Sequence, residues 1–417
     1  MRSVMHIDAN SAYLSWTAAD MLEHGCPTDM RTIPSVIAGD PKARHGIILA
    51  RSLPAKKYGI ATAQSLLEAR QKCPGLVVLP PDYDLYMKCS NEMHSVLSEY
   101  SSVIERYSVD ECYMEYTGSE ALRGGPVGAA YEIKGRIKRE LGFTVNVGVS
   151  VNKLLAKMGS ELKKPDMVHT LFPDEIEKKM WPLPVDELFF VGRATKRKLL
   201  AAGIPTIGDI ANSDIELIKA ILKPVHGTLV WEYANGIDGS EVRPNDFIVQ
   251  KGVGNGTTVP YDVVHKREAH EVLLALCERV GQRLRGLGAY GRVCSVTIRN
   301  TDLFWYRHQR RLDNPISATT EIYYYARQLF GEMWHGEPVR QLSVHLAELT
   351  QDKSRQASIF DWADYDKLRQ MDNTVDKIRG KYGDKAITRG VFTNTELAPT
   401  LGGINDGDYL MMGGYAQ

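Results

Sequence analysis

Long apolar runs are missing from this sequence. No stretch reaches the roughly 18 consecutive apolar residues that a membrane-spanning helix needs. The first twenty residues contain Asp8 and Asp20 and no cleavable apolar core, so a cytoplasmic protein without membrane partners is expected. Cysteine is scarce and scattered: Cys26, Cys73, Cys89, Cys112, Cys277 and Cys294 form no CxxC pair. That excludes a cysteine metal framework, and free thiols in a reducing compartment are the simpler reading than a disulfide scaffold. No internal repeat or low-complexity tract is present. Net charge is also absent, with 51 Lys plus Arg balancing 51 Asp plus Glu. Taken as a sum, that balance argues against a polyanionic partner, because nucleic-acid-binding proteins usually carry a basic excess.

What is present is the composition of a folded, multidomain chain. Its 417 residues are 43% hydrophobic and 24% charged, and that length suggests two to four domains. Ser3–Ile7 reads as a strand running into Asp8, followed by a helix from about Ala12 that stops near Gly25. A strand at 46–50, a helix at 83–100, strands at 102–107 and 111–116, a helix at 127–141 and a strand at 144–149 follow. The 1–150 region thus has a β-α-β-β-α-β-like order. Residues 183–211 read as helix, turn, helix, turn, helix, and 239–251 as a linker. Beyond it lies a second α/β unit, with helices near 266–287 and 317–334 and strands at 292–299 and 340–349. An amphipathic helix at 364–383 closes the readable pattern.

Charge is distributed unevenly along this frame. Between residues 101 and 120 stand Glu105, Asp110, Glu111, Glu115 and Glu120 against the single base Arg106. The strand order lets Asp8 and the Asp110-Glu111 turn converge at one sheet edge. Carboxylates forced together raise one another's pKa, so a fold keeps them together only with a cation; the alternative is a solvated turn. Oxygen donors without His or Cys favour Mg²⁺ or Mn²⁺ over Zn²⁺. From 279 to 311 the balance reverses. Arg279, Arg283, Arg285, Arg292, Arg299, Arg307, Arg310 and Arg311 face the acid Asp302, with Tyr290, Trp305 and Tyr306 interleaved. A charge run of this kind is usually a solvated face, and a surface that tracks phosphates independently of sequence is the alternative. The zero sum is therefore a cancellation between regions. With no global basic excess, affinity for any polyanion should be modest.

The motifs His6-Ile7-Asp8-Ala9-Asn10-Ser11-Ala12-Tyr13 and Ser108-Val109-Asp110-Glu111 resemble the metal motifs of the Y-family translesion DNA polymerases, in particular the bacterial polymerase IV and V branches. Ala50–Ile60, Asn152–Lys157, Lys164-Pro165 and Leu183–Ala211 agree in order, so the resemblance covers roughly residues 4–380. It implies a right-hand α/β polymerase with a ferredoxin-like palm (1–12 and 81–171), small fingers (13–80), a helical thumb with a helix-hairpin-helix (172–240), a linker (241–250), an α/β little finger (251–350) and a tail (351–417). The implied activity is template-directed nucleotidyl transfer from dNTP to a primer 3′-hydroxyl, at low fidelity, in DNA damage bypass. A catalytically silent DNA-binding subunit and another two-metal palm enzyme, such as a nucleotide cyclase, are the competing readings.

Site residues follow from the same resemblance, position by position. Asp8 and Asp110 would bridge two Mg²⁺ ions, Glu111 would hold the ion beside the primer terminus, and the Ala9 carbonyl would complete the other site. Tyr13 falls at the steric gate against ribonucleotides. Lys56 and Lys164 match the cations that grip the triphosphate. Gly192 and Arg193 would meet DNA phosphates at the helix-hairpin-helix, and Arg292, Arg299, Arg307, Arg310 and Arg311 along the little finger. Gln356, Ser358, Ile359 and Phe360 resemble the peptide that docks bacterial polymerases on the sliding clamp, with Ala357 where Leu is usual. Primer-template DNA, dNTP and a clamp are the expected partners of a monomer. Four positions depart from the commoner pattern: Asn10, Ala12, Leu53 and Lys56, bearing on triphosphate grip and lesion preference.

Overall fold

Strand β1 (Val4–Ala9) is buried along its whole length, because its two faces meet different layers. The computed structural model describes residues 2–40, 46–120, 124–244, 250–356 and 364–393, which fall into two units divided near residue 249. In the first unit β1 leads into α1 (Ala12–Glu23). Strands β2 (Ser35–Ala38) and β3 (Ile48–Arg51), helices α2 (Leu53–Lys57) and α3 (Leu66–Lys72), and strand β4 (Val77–Leu79) follow. Then come α4 (Tyr83–Ser98), β5 (Ile104–Arg106), β6 (Glu111–Glu115), α5 (Pro126–Leu141), β7 (Val145–Ser150), α6 (Lys153–Glu161) and β8 (Val168–Thr170). The central sheet has the order β5-β6-β1-β7-β8, and the small sheet β3-β2-β4. Apart from β8, the central order is the one a β-α-β-β-α-β unit produces.

One face of the central sheet is apolar. Met5, Ile7 and Ala9 of β1 pack with Cys112 and Met114 of β6 and Val145, Val147 and Val149 of β7 under α4 and α5. Helix α4 starts where the Asp82 carboxylate accepts the Leu85 amide at 3.0 Å, and it buries Tyr86, Cys89, Met93, Val96 and Leu97 at helical spacing. The opposite face is polar and carries α6. Gly148, opposite His6 in the ladder, makes that approach possible: a Cβ there would lie 1.9 Å from the Ala156 carbonyl oxygen. Asn152 starts α6 by accepting the Leu155 amide at 2.8 Å.

Helices α7 (Ile176–Lys179), α8 (Arg193–Ala201), α9 (Ile207–Ala211), α10 (Ile215–Leu222) and α11 (Pro224–Ala234) complete the first unit around Leu188, Leu199, Ile207, Ile210, Ile218 and Val230. The helix expected just after Leu183 is only a 3₁₀ turn, Val185–Glu187, and Phe190 follows with a left-handed φ of 70°. The segment read as a linker from 241 is also not free at its start. Val242 is buried with Val4, Tyr113 and Ala156, and the Arg243 amide donates to Glu105 at 2.9 Å.

The second unit contains β9 (Gly252–Val263), α12 (Lys266–Gly286), β10 (Tyr290–Asn300), β11 (Trp305–Ile316), α13 (Thr319–Met333), β12 (Val339–Thr350) and α14 (Tyr365–Tyr382). Its antiparallel sheet has the order β11-β10-β12-β9, with α12 and α13 packed on Cys294, Val296, Ile298, Leu342, Val344 and Leu346. Helix α14 is tied on by buried ion pairs. Arg379 donates to Glu278 at 2.7 Å with both side chains 4% exposed, and Arg285 meets Asp376 at 2.6 Å and Asp372 at 3.2 Å. Breaking a buried pair of this kind costs about 3–5 kcal/mol. Among the described residues, no helix is long and apolar enough to cross a membrane.

Candidate active site and nucleic-acid surface

The turn after β1 assembles the acids. Ser11 takes a left-handed φ of 48°, and the Ala9 amide donates to the Asp110 carbonyl at 3.0 Å. The ladder pairs Asp8 with Glu111, so these carboxylates leave neighbouring strands on the same face. Helix α6 adds Glu161, and oxygens of Asp8, Glu111 and Glu161 all lie within 4.8 Å of one another. Asp110 is not part of that triple. It stands at the head of β6, where the Ser108 hydroxyl donates to its carboxylate at 2.5 Å.

Two lysines oppose the acids. Lys157 donates to both Glu111 oxygens at 3.0 Å, and Lys164 pairs with Asp8 and, at 2.9 Å, with Glu161. Burial drives the Asp8 carboxyl up to about 7, outweighing the pull of Lys164, and raises Asp110 as well. Glu111 goes the other way: burial would raise it, but His6 and Lys157 overcome that and hold it at about 2. Burial also lowers His6 to about 4, so the ring is neutral near pH 7. Its Nδ1 lies 2.7 Å from the Ser160 hydroxyl. Carboxylate oxygens together with the Ala9 carbonyl, free of cysteine, are a donor set suited to a hard divalent cation.

Beside the acids opens a cleft of about 170 Å³, lined by residues 9–11 of the β1–α1 turn, by Arg51, Ser52, Leu53 and Lys56, and by Lys164-Pro165. Tyr13 is the second residue of α1. Its ring stacks on Tyr86 with centroids 4.3 Å apart and planes 4° from parallel, and it meets Tyr83 in a T-shaped arrangement at 6.2 Å. Such a backing leaves the Tyr13 ring little room to yield. Tyr13→Ala is therefore expected to raise ribonucleotide incorporation at least tenfold relative to deoxyribonucleotide, read by single-nucleotide kinetics. An unchanged preference would remove Tyr13 from the gate.

The arginine-rich stretch divides. Opposite residues of an antiparallel pair share a face, and Arg299↔Trp305, Thr297↔Arg307 and Val293↔Arg311 lie away from the α12–α13 side. Arg310 pairs with Cys294 and turns to α13, donating to Gln328 at 2.8 Å and to Glu332. Arg279 is buried, and the Arg285 side chain is 7% exposed in its pairs with α14. Arg283 is half-buried on α12 and donates to the Gly254 carbonyl at 3.2 Å, and Arg292 is half-buried at the bulge between Gly291 and Val293. The expected eight-arginine surface thus reduces on the open face to Arg299, Arg307 and Arg311. Arg311 is paired with Glu348 at 3.0 Å, whereas Arg299 lies over the Trp305 ring, 5.1 Å from its centroid. Exchanging Arg299 and Arg307 together for alanine should reduce the slope of log affinity for DNA against log salt by about two, equally for unrelated sequences. A slope that did not move would take both off the interface.

Gly192 and Arg193 are exposed at the start of α8. Gln356 is held by Asn314, which accepts its amide at 2.9 Å. Ser358, Ile359 and Phe360 lie outside the described residues. Sequence reasoning missed Glu161 and Lys157. Their signal is periodic: Lys153, Lys157 and Glu161 recur every four residues behind a capping Asn152, on one face of a helix.

A ferredoxin-like sheet with acids at the end of one strand and the start of its neighbour, beside a cationic cleft, defines the nucleotidyl-transferring palm class. Residues 7–161 match the impB/mucB/samB family and residues 250–359 match that family's C-terminal domain. DNA polymerase IV of Clostridium acetobutylicum is 50% identical over 395 residues, covering 94% of this chain and 98% of the relative. DNA polymerase IV of Acetivibrio thermocellus is 37% identical over 395 residues (94% and 97%), and DNA polymerase IV 2 of Bacillus subtilis 38% over 367 (86% and 88%). In architecture the chain is similar to a Y-family DNA polymerase chimera of Dbh and Dpo4. The TM-score is 0.72 at 20% identity, covering 84% of this chain and all of that one. The chain belongs to the impB/mucB/samB family of Y-family DNA polymerases, and its fold is the right-hand polymerase fold.

Proposed function

We propose that this chain copies template DNA as a translesion polymerase, adding deoxynucleotides to a primer 3′-hydroxyl with release of pyrophosphate. The observation that carries the reading is the convergence of the Asp8 and Glu111 carboxylates, with Asp110 tied to the same turn through its carbonyl and the Ala9 amide, next to a cleft whose lining residues include three cations and no acid. Asp8, Asp110, Glu111 and the Ala9 carbonyl are the groups that would hold two Mg²⁺ ions, or Mn²⁺ in their place, whose Lewis acidity activates the primer hydroxyl and neutralises the leaving group. Lys56 and Lys164 bind and orient the triphosphate as point charges. Tyr13, backed by Tyr86, holds the sugar flat and excludes a 2′-hydroxyl. Gly192 and Arg193 meet the duplex backbone, as do Arg299, Arg307 and Arg311 on the second unit, with no base readout. The division into palm, fingers, thumb and little finger at the boundaries above belongs to the same proposal. The small sheet β3-β2-β4 and its short helices make a fingers region too slight to inspect the nascent pair closely, which suits damaged templates at the expense of fidelity.

Primer extension on undamaged and abasic templates, with each dNTP separately, tests the reading. Expected are metal-dependent extension of both templates and its abolition by EDTA. DNA binding without extension would indicate a silent subunit, and a cyclic nucleotide product a cyclase. The proposal further places the enzyme in the cytoplasm as a monomer tethered to a sliding clamp through Gln356, Ser358, Ile359 and Phe360. Phe360→Ala should then remove clamp stimulation and leave the basal rate intact; stimulation that survived would discard the tether.

A further inference from the structure

The cleft contains one cation that the proposed mechanism leaves unused. Arg51 ends β3, paired with Val36, and its backbone is fixed on both sides. The next residue, Ser52, accepts the Ala55 amide at 3.1 Å to start α2 and donates its hydroxyl to the Ile33 carbonyl at 2.7 Å. Arg51 lines the cleft together with Lys56 and Lys164. Its polar partner among the described residues is the Ile60 carbonyl, which takes one of five N–H donors and carries no charge to balance it. Lys164 is committed to Asp8 and Glu161. Lys56 is exposed, and the Leu53 side chain brings no hydrogen-bonding group to the wall. A half-buried guanidinium without an acid partner is costly unless an anion completes it, and its planar fork fits phosphate oxygens two at a time, which an ammonium does not.

We propose that Arg51 is a ligand of the nucleotide triphosphate, supplying the bidentate grip that Lys56 and Lys164 lack. The inference rests on the polymerase reading and deepens it. Contacts to phosphate are blind to the base, so the effect must be the same for all four nucleotides.

The test is steady-state single-nucleotide incorporation by wild type, Arg51→Gln and Arg51→Lys, with inorganic tripolyphosphate as a competitive inhibitor and melting temperature measured alongside. Expected for Arg51→Gln is a KM for every dNTP raised at least tenfold and a tripolyphosphate Ki raised in parallel, with kcat within threefold and unchanged duplex affinity. Arg51→Lys, which keeps the charge and a donor for Ile60, should fall between. If wild type extends primers and the KM of Arg51→Gln stays within twofold, the proposal is overturned. It is also overturned if KM rises together with a fall in melting temperature while the tripolyphosphate Ki holds, because Arg51 is then a tether for the Ile60 loop. Should Arg51→Gln fail to fold, Arg51→Lys decides by the same two constants. Failure of wild type to extend any primer would instead strike the polymerase reading itself.

Discussion

Asp8→Asn and Asp110→Asn are each expected to reduce primer extension by about a thousandfold or more, the scale on which removal of a single preorganised electrostatic element acts. Each keeps shape and volume while deleting a charge, so duplex affinity, which rests on cations elsewhere in the chain, should stay within twofold. Extension within tenfold of wild type for either variant would remove that residue from the reacting centre. The pair also differs in a way that separates the charge from the fold. Burial holds Asp8 protonated up to about 7, against an ordinary value near 3.8. A carboxyl with a raised folded-state pKa lends stability that is complete below its unfolded value and is lost as pH rises through the folded one. In EDTA, wild type should therefore lose melting temperature relative to Asp8→Asn between pH 4 and 7. The fold tolerates an unfavourable carboxylate at Asp8 because function requires it there.

How far such a site can be read in the sequence depends on whether its signal is local. Strand β1, helices α1 and α4, and the β5–β6 turn were legible because apolar spacing, capping residues and turn residues coincide within a few positions. Strand β9 was not. Its Gly252, Gly254 and Gly256 give no strand pattern, yet a Cβ on any of them would lie within 2.7 Å of His345 or Ser343 on the neighbouring strand. The glycines serve a contact with a strand about ninety residues further along the chain. Strand β11 was hidden for another reason: it is a sheet edge with one solvent face, and its Arg-rich composition resembles a surface loop. The buried role of Arg279 and Arg285 depends on acids of the tail, which no window around them contains. Among the site residues, Asp8, Asp110 and Glu111 stood out through motif. Glu161 and Lys157 became visible only once Gly148 brought α6 onto the sheet.

That close approach yields the largest expected loss of stability. Gly148 lies at the middle of β7, where a methyl group would meet the Ala156 carbonyl oxygen at 1.9 Å, the Ser160 amide nitrogen at 2.5 Å and the Ala156 carbonyl carbon at 3.0 Å. All three are helix backbone, so no rotamer change relieves the clash; α6 must move as a body. Overpacking of this kind costs about 1–3 kcal/mol when side chains can absorb it, and here they cannot. Gly148→Ala should therefore destabilise the first unit by about 3 kcal/mol or more, lowering its melting temperature by about 6–12 °C at this domain size. Displacing α6 also draws Lys157 from Glu111 and moves Glu161 and Lys164 relative to Asp8, so activity should fall even below the transition. A second substitution separates the two effects. Gly159, on the facing side of α6, has its nearest added-Cβ contact 3.5 Å away at Gly148 itself, so Gly159→Ala fits at ordinary van der Waals distance. It should cost far less than Gly148→Ala and leave extension near wild type. If differential scanning calorimetry placed Gly148→Ala within 2 °C of wild type, the helix would not be held against β7 by backbone contact, and the rigid placement of Glu161 and the two lysines over the acids would fall with it.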